Sequence, residues 1–264
     1  MYTMKFTISD NDKIKLFVSL FQFLKNCSEN ITMIFYEEYI HLQGMDNSHV
    51  CLYDVRLTKE WFTEYENETN DCNTISFNSQ HFYTIISSVN NDNHKIYINY
   101  EKENNDSLQI DLIVKENNTK SFSNYFKLNL IDLNYDVLQI TENEYDVELT
   151  ISTEELINIT SKMILFDGCI VFRCNENEFN IMSNGSLCDM KVDIPIDKLT
   201  EYSICEGEEI EVVYSLSYMH KICLTNRLSK EVGIYIDKSS PMKIKYCLGN
   251  DSSLLYFLAP KIND

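Results

Sequence analysis

The sequence predicts an α+β chain built as two similar domains of antiparallel sheet, each carrying two helices. Three observations lead there. Only 6 Gly and 3 Pro punctuate 264 residues rich in Tyr, Phe, Ile and Val, and most segments alternate apolar and polar side chains with period two, as half-buried antiparallel strands do. Four stretches break that pattern with helical spacing, and they start at roughly even intervals. Between the second and third, residues 131–144 show no clear period, are acidic, and still carry Leu133, Val137, Leu138 and Ile140. Such a segment is expected as an extended linker strapped across a surface. The expected division is a first domain at 1–129, a connector at 130–146 and a second domain at 147–264.

Each helical stretch has a physical entry signal. Residues 9–26 follow a Ser/Asp/Asn start and place Ile14, Phe17, Val18, Phe21 and Leu24 on one stripe. Residues 78–89 begin Asn-Ser and carry Phe82, Ile85, Ile86 and Val89. Residues 152–165 open with the capping-box pair Ser152 and Glu155, then show Leu156, Ile159, Met163 and Ile164. Residues 215–225 hold Leu216, Met219, Ile222 and Cys223. The even spacing predicts one helix-plus-strands unit used four times, two per domain, visible in pattern and not in identity.

Composition narrows the function classes. The hydrophobic content is 44%, enough for real cores, and no apolar run approaches a membrane span. The first residues lack a charged-then-apolar signal layout, so a reducing compartment is expected. The 9 Cys are scattered and odd in number, which disfavours a disulfide framework. The 5 His form no HExxH and sit near no Cys pair, and no Gly-rich phosphate loop or GxSxG elbow is present. Neither a catalytic set, a metal site nor a cofactor is expected. An enzyme of another α+β kind is disfavoured for the same reason.

Residues 42–57, LQGMDNSHVCLYDVRL, read as strand, short polar turn and strand. Taken alone they make a β-hairpin with a core-facing Met45 and a solvated His49. The run resembles the eukaryotic-type sliding clamps of the proliferating cell nuclear antigen (PCNA) family, which carry a near-identical LQ-x-MD-x-SHV-x-L segment. Residues 256–262, YFLAPKI, are similar to that family's C-terminal YYLAPKI. The resemblance implies the DNA-clamp fold, with antiparallel sheets outside and helices lining a ring. It also implies a homotrimer that encircles duplex DNA without sequence preference, located in the nucleus and acting as a processivity factor. Its partners would be a DNA polymerase, a clamp loader, a flap nuclease and a ligase, held through a peptide with a Gln and two aromatics.

Charge placement agrees with that implication in sign. The net charge is −19, from 22 basic and 41 acidic residues. The four helical stretches hold five Lys against four acids, a sum of +1, which leaves −20 for the rest of the chain. The four acids sit at helix starts, where capping and the macrodipole account for them. By resemblance the DNA-facing set is Lys13, Lys15, Lys25, His81, Lys162, His220 and Lys221. Positions such as Asn158 and Ser161, commonly basic in the family, are neutral here, so few phosphate contacts per subunit are expected.

The same resemblance implies a partner-peptide pocket of Met45, His49, Val50, Leu52, Leu138, Ile140, Pro241, Phe257, Ala259 and Pro260. The Pro that often follows the connector Ile is Thr141 here, which predicts a looser strap. Ring closure needs strand edges, expected at 123–130 and 187–194. Two further readings share the fold: a subunit of a checkpoint-type clamp, and a protein scaffold that has left DNA behind.

Overall fold

The computed structural model describes residues 3–46, 48–67, 73–89, 93–101, 106–115, 121–141, 144–165, 168–185, 188–225 and 227–261. Leu187 and Ile262, which belong to an expected edge and to the tail motif, lie outside the described residues, as do Asn47 of the 42–57 run and connector residues 142 and 143. The chain divides into two compact units. The first comprises Met1–Asn47, Asp54–Leu138 and Leu248–Ser253, and the second Ser48–Tyr53, Gln139–Cys247 and Leu254–Asp264.

In chain order the first eleven elements are β1 (Thr3–Ile8), α1 (Asn11–Cys27), β2 (Asn30–Phe35), β3 (Tyr39–Met45), β4 (Cys51–Thr58), β5 (Glu64–Asn67), β6 (Asn73–Asn78), α2 (Ser79–Ser87), β7 (His94–Glu101), β8 (Ser107–Val114) and β9 (Asn124–Asn129). The next eleven are β10 (Val147–Ser152), α3 (Thr153–Met163), β11 (Cys169–Cys174), β12 (Phe179–Asn184), β13 (Asp189–Ile194), β14 (Glu201–Ile204), β15 (Ile210–Ser215), α4 (Leu216–Cys223), β16 (Glu231–Ile236), β17 (Met242–Gly249) and β18 (Ser252–Leu258). The two series have the same order. A strand–helix–three-strand run occurs four times, and a short strand follows a 3₁₀ turn after the first and third. The expected fourfold pattern is therefore present in the described residues.

Pairing repeats as well. The first unit has a sheet ordered β5-β1-β7-β8-β9 and a run β4-β3-β2-β6. The second has β14-β10-β16-β17-β18 and a sheet β13-β12-β11-β15. Thus β1 pairs with β5 and β7, as β10 pairs with β14 and β16. β9 and β13 end their sheets, close to the predicted edges, with polar, exposed residues alternating along them.

The helix starts follow from local chemistry. Each helix leaves a strand through a residue that prefers a cap to a helix interior: Asp10, Asn78, Ser152 and Ser215. Asp10 accepts from the Asp12 and Lys13 amides at 3.0 and 2.9 Å, and Asn78 accepts from the His81 amide at 3.0 Å. Ser152 accepts from the Glu155 amide at 3.5 Å, the forward half of the box. Helical conformation begins one or two residues later than the predicted stretches because those stretches include the caps.

The first unit's core is aromatic. Phe17 and Phe21 of α1 lie 4.8 Å apart, Phe21 and Phe82 of α2 4.5 Å, and Phe82 and Phe77 of β6 4.5 Å between ring centroids. Trp61 is fully buried and its indole N–H donates to the Leu248 carbonyl at 3.0 Å. Helix α1 buries Leu20 and Phe23 besides Ile14, Phe17, Phe21 and Leu24, while Val18 is only half-buried. The stripe is wider than the sequence predicts because α1 packs on α2 and on the sheet at once. The second core is smaller in side chain: Leu156, Met163, Leu216, Met219, Ile222 and Cys223 seal α3 to α4 over Phe172, Tyr214 and Tyr246. Ile159 and Ile164 are half-buried, and Thr160 takes a fully buried place between them.

Candidate functional site

Because each helix is buried from one side, its remaining stripe faces water. On α1 that stripe is Asp12, Lys15, Ser19, Gln22 and Asn26, spaced three and four apart. On α2 it includes Gln80, His81, Thr84 and Ser87, on α3 Glu154, Asn158, Ser161 and Lys162, and on α4 Ser217, Lys221 and Leu224. These faces are mostly uncharged and polar.

The predicted DNA-facing residues separate by their partners. Lys15, Lys162, Lys221 and His81 are exposed, Lys15 lying 3.3 Å from Asp12. Lys13 is half-buried and donates to the Trp61 carbonyl at 2.6 Å, with Glu60 O at 3.5 Å, closing the 3₁₀ turn Lys59–Trp61. Lys25 bends over the Tyr83 ring, 4.1 Å from its centroid, and donates to Gln80 at 3.3 Å. His220 Nδ1 lies 3.2 Å from Thr160 Oγ1, joining α4 to α3. Lys13, Lys25 and His220 thus reach partners on other elements of their own unit, which the helical period alone does not reveal, whereas Lys15 and Lys221 meet neighbours on their own helix, Asp12 and the Tyr218 ring.

The connector is pinned to the first unit by a buried amide. Gln43 of β3 is 3% exposed. Its Oε1 accepts from the Leu138 N–H at 2.8 Å and its Nε2 donates to the Leu138 carbonyl at 3.0 Å. The same Nε2 donates to Asp54 Oδ2 at 3.0 Å, and His41 Nε2 lies 2.8 Å from that oxygen. An ionised carboxylate only accepts, so the His41 Nε2 carries the proton of that bond. Tyr135 adds a second pin, its hydroxyl donating to the Gln43 carbonyl at 2.6 Å, and burial pushes its pKa up to about 12. A third is the Ile131 N–H on the Ser76 carbonyl at 2.8 Å.

Held this way, the strap leaves its apolar side chains outside: Leu133, Val137, Leu138 and Ile140 are 40, 40, 48 and 37% exposed. Of the other pocket residues, Met45 ends β3 on the same face as His41 and Gln43 by strand alternation. Val50 accepts from the Ala259 amide at 3.0 Å, so the turn and the tail meet in the second unit. His49 holds a left-handed φ of 56°, and Pro241 is exposed. Phe257, Ala259 and Pro260 are half-buried, whereas Leu52, at 8% exposure, offers little surface. Lys261 ties the tail down through its amide to the Val213 carbonyl at 2.7 Å. The roles of Gln43, Asp54 and Tyr135 escaped the sequence reading, although a Gln within an apolar strand was the available signal.

Nucleophile chemistry is not favoured at the buried thiols, since burial pushes Cys174 and Cys223 up to about 12. Among the described residues no group of three or more His, Cys, Asp or Glu could hold a metal ion.

A doubled strand–helix–three-strand run in each unit, with the helices solvated on one side and an extended strap after the first unit, defines a DNA-clamp chain. The family models described as "Proliferating cell nuclear antigen, N-terminal domain" and "Proliferating cell nuclear antigen, C-terminal domain" match residues 9–137 and 139–261. The chain belongs to the proliferating cell nuclear antigen family. It is 26% identical over 230 residues to the "Proliferating cell nuclear antigen" of Chaetomium thermophilum, covering 85% of this chain and 86% of that one. It is 26% identical over 260 residues to "Proliferating cell nuclear antigen 2" of Plasmodium falciparum, covering 95 and 97%. The "Probable DNA polymerase sliding clamp" of Autographa californica nuclear polyhedrosis virus matches at 26% over 224 residues, 84% of each chain. In fold, the crystal structure of the antigen from Entamoeba histolytica superposes with a TM-score of 0.86 at 22% identity, over 99% of this chain and all of that one.

The Gln43 clamp makes a direct prediction. Gln43→Leu keeps the volume and removes both bonds to Leu138, at about 1 kcal/mol each. Hydrogen exchange at the Leu138 amide is expected to accelerate by roughly tenfold or more, and Tyr135→Phe to add a smaller increase. Unchanged exchange in Gln43→Leu would mean that the strap is held by something else.

Proposed function

We propose that this chain is a DNA sliding clamp, a homotrimeric ring around duplex DNA that acts as a processivity factor for a DNA polymerase. The observation that carries this is the pair of family matches, which together take in residues 9–137 and 139–261, each half containing the doubled run. Three features support the detail. β9 and β13 offer one free strand edge per unit, suited to head-to-tail pairing that closes into a ring. The helix faces are near neutral in a chain of net charge −19, so phosphates meet them without the repulsion of the remaining surface. The strap exposes apolar side chains of the sort a short peptide covers.

In this reading Lys15, Lys162 and Lys221 make the main phosphate contacts, with His81 contributing when protonated. Lys13, Lys25 and His220 first serve their own unit. Met45, His49, Val50, Leu52, Leu138, Ile140, Pro241, Phe257, Ala259 and Pro260 receive a Gln-x-x-aliphatic-x-x-aromatic-aromatic peptide. Polymerase, clamp loader, flap nuclease and ligase are the partners, and the nucleus is the location. Enzymatic activity, cofactor and metal have no part in it. A second reading, a scaffold of the same fold that no longer binds DNA, is favoured by the scarcity of free lysines on the helices.

Light scattering at micromolar concentration is expected to give about three chain masses of 31.0 kDa each. A stable monomer there refutes the ring, and a dimer points to the checkpoint-type clamp.

Loading on a closed DNA circle with the clamp loader separates clamp from scaffold. The Lys15→Ala, Lys162→Ala and Lys221→Ala variants are expected to weaken retention on all DNA sequences alike, each flattening the log–log salt slope by roughly one unit per lost contact and subunit. Lys13→Ala should lower thermal stability more than retention, because it strips the Trp61 carbonyl of its donor. Wild type that cannot be loaded at all favours the scaffold.

Peptide binding tests the strap. A peptide of the stated pattern should bind at micromolar strength, roughly −8 kcal/mol, and Ile140→Asp should abolish binding while leaving the fold intact, since Ile140 is already exposed. Normal binding by that variant would place the peptide elsewhere.

A further inference from the structure

The first unit carries a cavity of about 280 Å³ on the face of β7, β8 and β9 opposite its core. Strand alternation builds it. Ile98, Leu108, Ile110 and Leu112 turn to the core and are almost wholly buried. The alternate positions Asn99, Glu101, Ser107, Gln109 and Asp111 turn the other way and line the cavity with Tyr125, Phe126 and Lys127 of the edge strand. In register, Asn99 faces Gln109, which faces Lys127, and Asp111 faces Tyr125.

The polar atoms of this cavity do not balance. Asn99 and Asp111 are 8 and 4% exposed, yet among the described residues Asn99 Oδ1 and Asp111 Oδ1 have no hydrogen-bond partner. The nearby amide donors are already engaged: Gln109 Nε2 donates to Asp111 Oδ2 at 2.7 Å, and Asn99 Nδ2 to Glu101 Oε1 at 3.3 Å. What remains is two buried acceptors, one of them on Asp111 itself, with the Glu101 carboxylate also lining the cavity, and buried acceptors without donors are rare because each costs desolvation. Burial also raises the Asp111 carboxyl above its ordinary range, a bias that a cation seated against Oδ1 removes.

We propose that this cavity binds a guanidinium group, the arginine side chain of a partner polypeptide. Guanidinium has only donors, arranged in a planar fork that reaches two separated acceptors at once. Tyr125, which sits opposite Asp111 and is 71% exposed, supplies a ring face on which such a plane stacks. A divalent metal ion suits the cavity less well, because among the described residues Glu101 and Asp111 are the only carboxylates that line it and hard cations take six or more oxygens. A cavity of about 280 Å³ has room for a side-chain head but not for a large ligand. The inference does not rest on DNA binding.

The test uses the full chain in its native assembly and amide NMR titration with N-acetyl-arginine amide, N-acetyl-lysine amide and Mg²⁺. The arginine probe is expected to shift resonances confined to β7, β8 and β9 with millimolar half-saturation, and the lysine probe to bind about tenfold more weakly. Asp111→Asn keeps the side-chain volume and removes a buried charge, so it should fold and weaken arginine binding at least tenfold. Asn99→Leu serves as an independent second variant with the same expected loss. The proposal is overturned if arginine gives no shifts, if lysine or Mg²⁺ shifts the same residues equally, or if both variants bind arginine as the wild type does.

Discussion

Each unit depends on one packing event, the burial of the seam between its two helices. In the first unit the seam is a chain of rings, Phe17, Phe21, Phe82 and Phe77, in contact from α1 to β6. In the second it is aliphatic, with Thr160 and His220 as a polar stitch across it. Such a seam uses one side of a helix and frees the other from any part in folding. The freed side then answers to function alone. Here it carries Ser, Thr, Asn and Gln more than charge, in a chain whose acids outnumber its bases by 19.

Gln43 extends that logic to the strap. A buried amide that lacked partners would cost about 1–3 kcal/mol, and this one has them on every side: Leu138 twice, Asp54 once, and Tyr135 at its own carbonyl. Most of those partners exist only when the strap is in place. The strand and the strap therefore stabilise each other, and the exposed Leu133, Val137 and Leu138 side chains are presented from a fixed backbone.

What the sequence revealed and what it hid follow from distance along the chain. Caps such as Asp10 and Asn78 act within three residues, so composition and spacing exposed them. The fourfold pattern and the two edge strands were legible for the same reason, being set by local alternation and turns. Lys13 sits three residues beyond its cap on an apparently solvated face, yet its partner is Trp61, 48 positions away. Gln43 and Leu138 are 95 apart. No local period encodes such pairs, and tertiary structure decides them. The wide apolar stripe of α1 was missed because Leu20 and Phe23 are called inward by a second packing surface that the helix itself does not announce.

The strap's fastening has an evolutionary side. Ile131 is held by its amide, and Leu138 by its amide and carbonyl. Among the described residues, Tyr135 alone contributes a strap side chain to this fastening. Grips on the main chain are blind to residue type, so the neighbouring positions can drift, enlarge or change character while the backbone keeps its course. A lineage can thus retailor what this strap shows to its partners without first having to rebuild the way it is held.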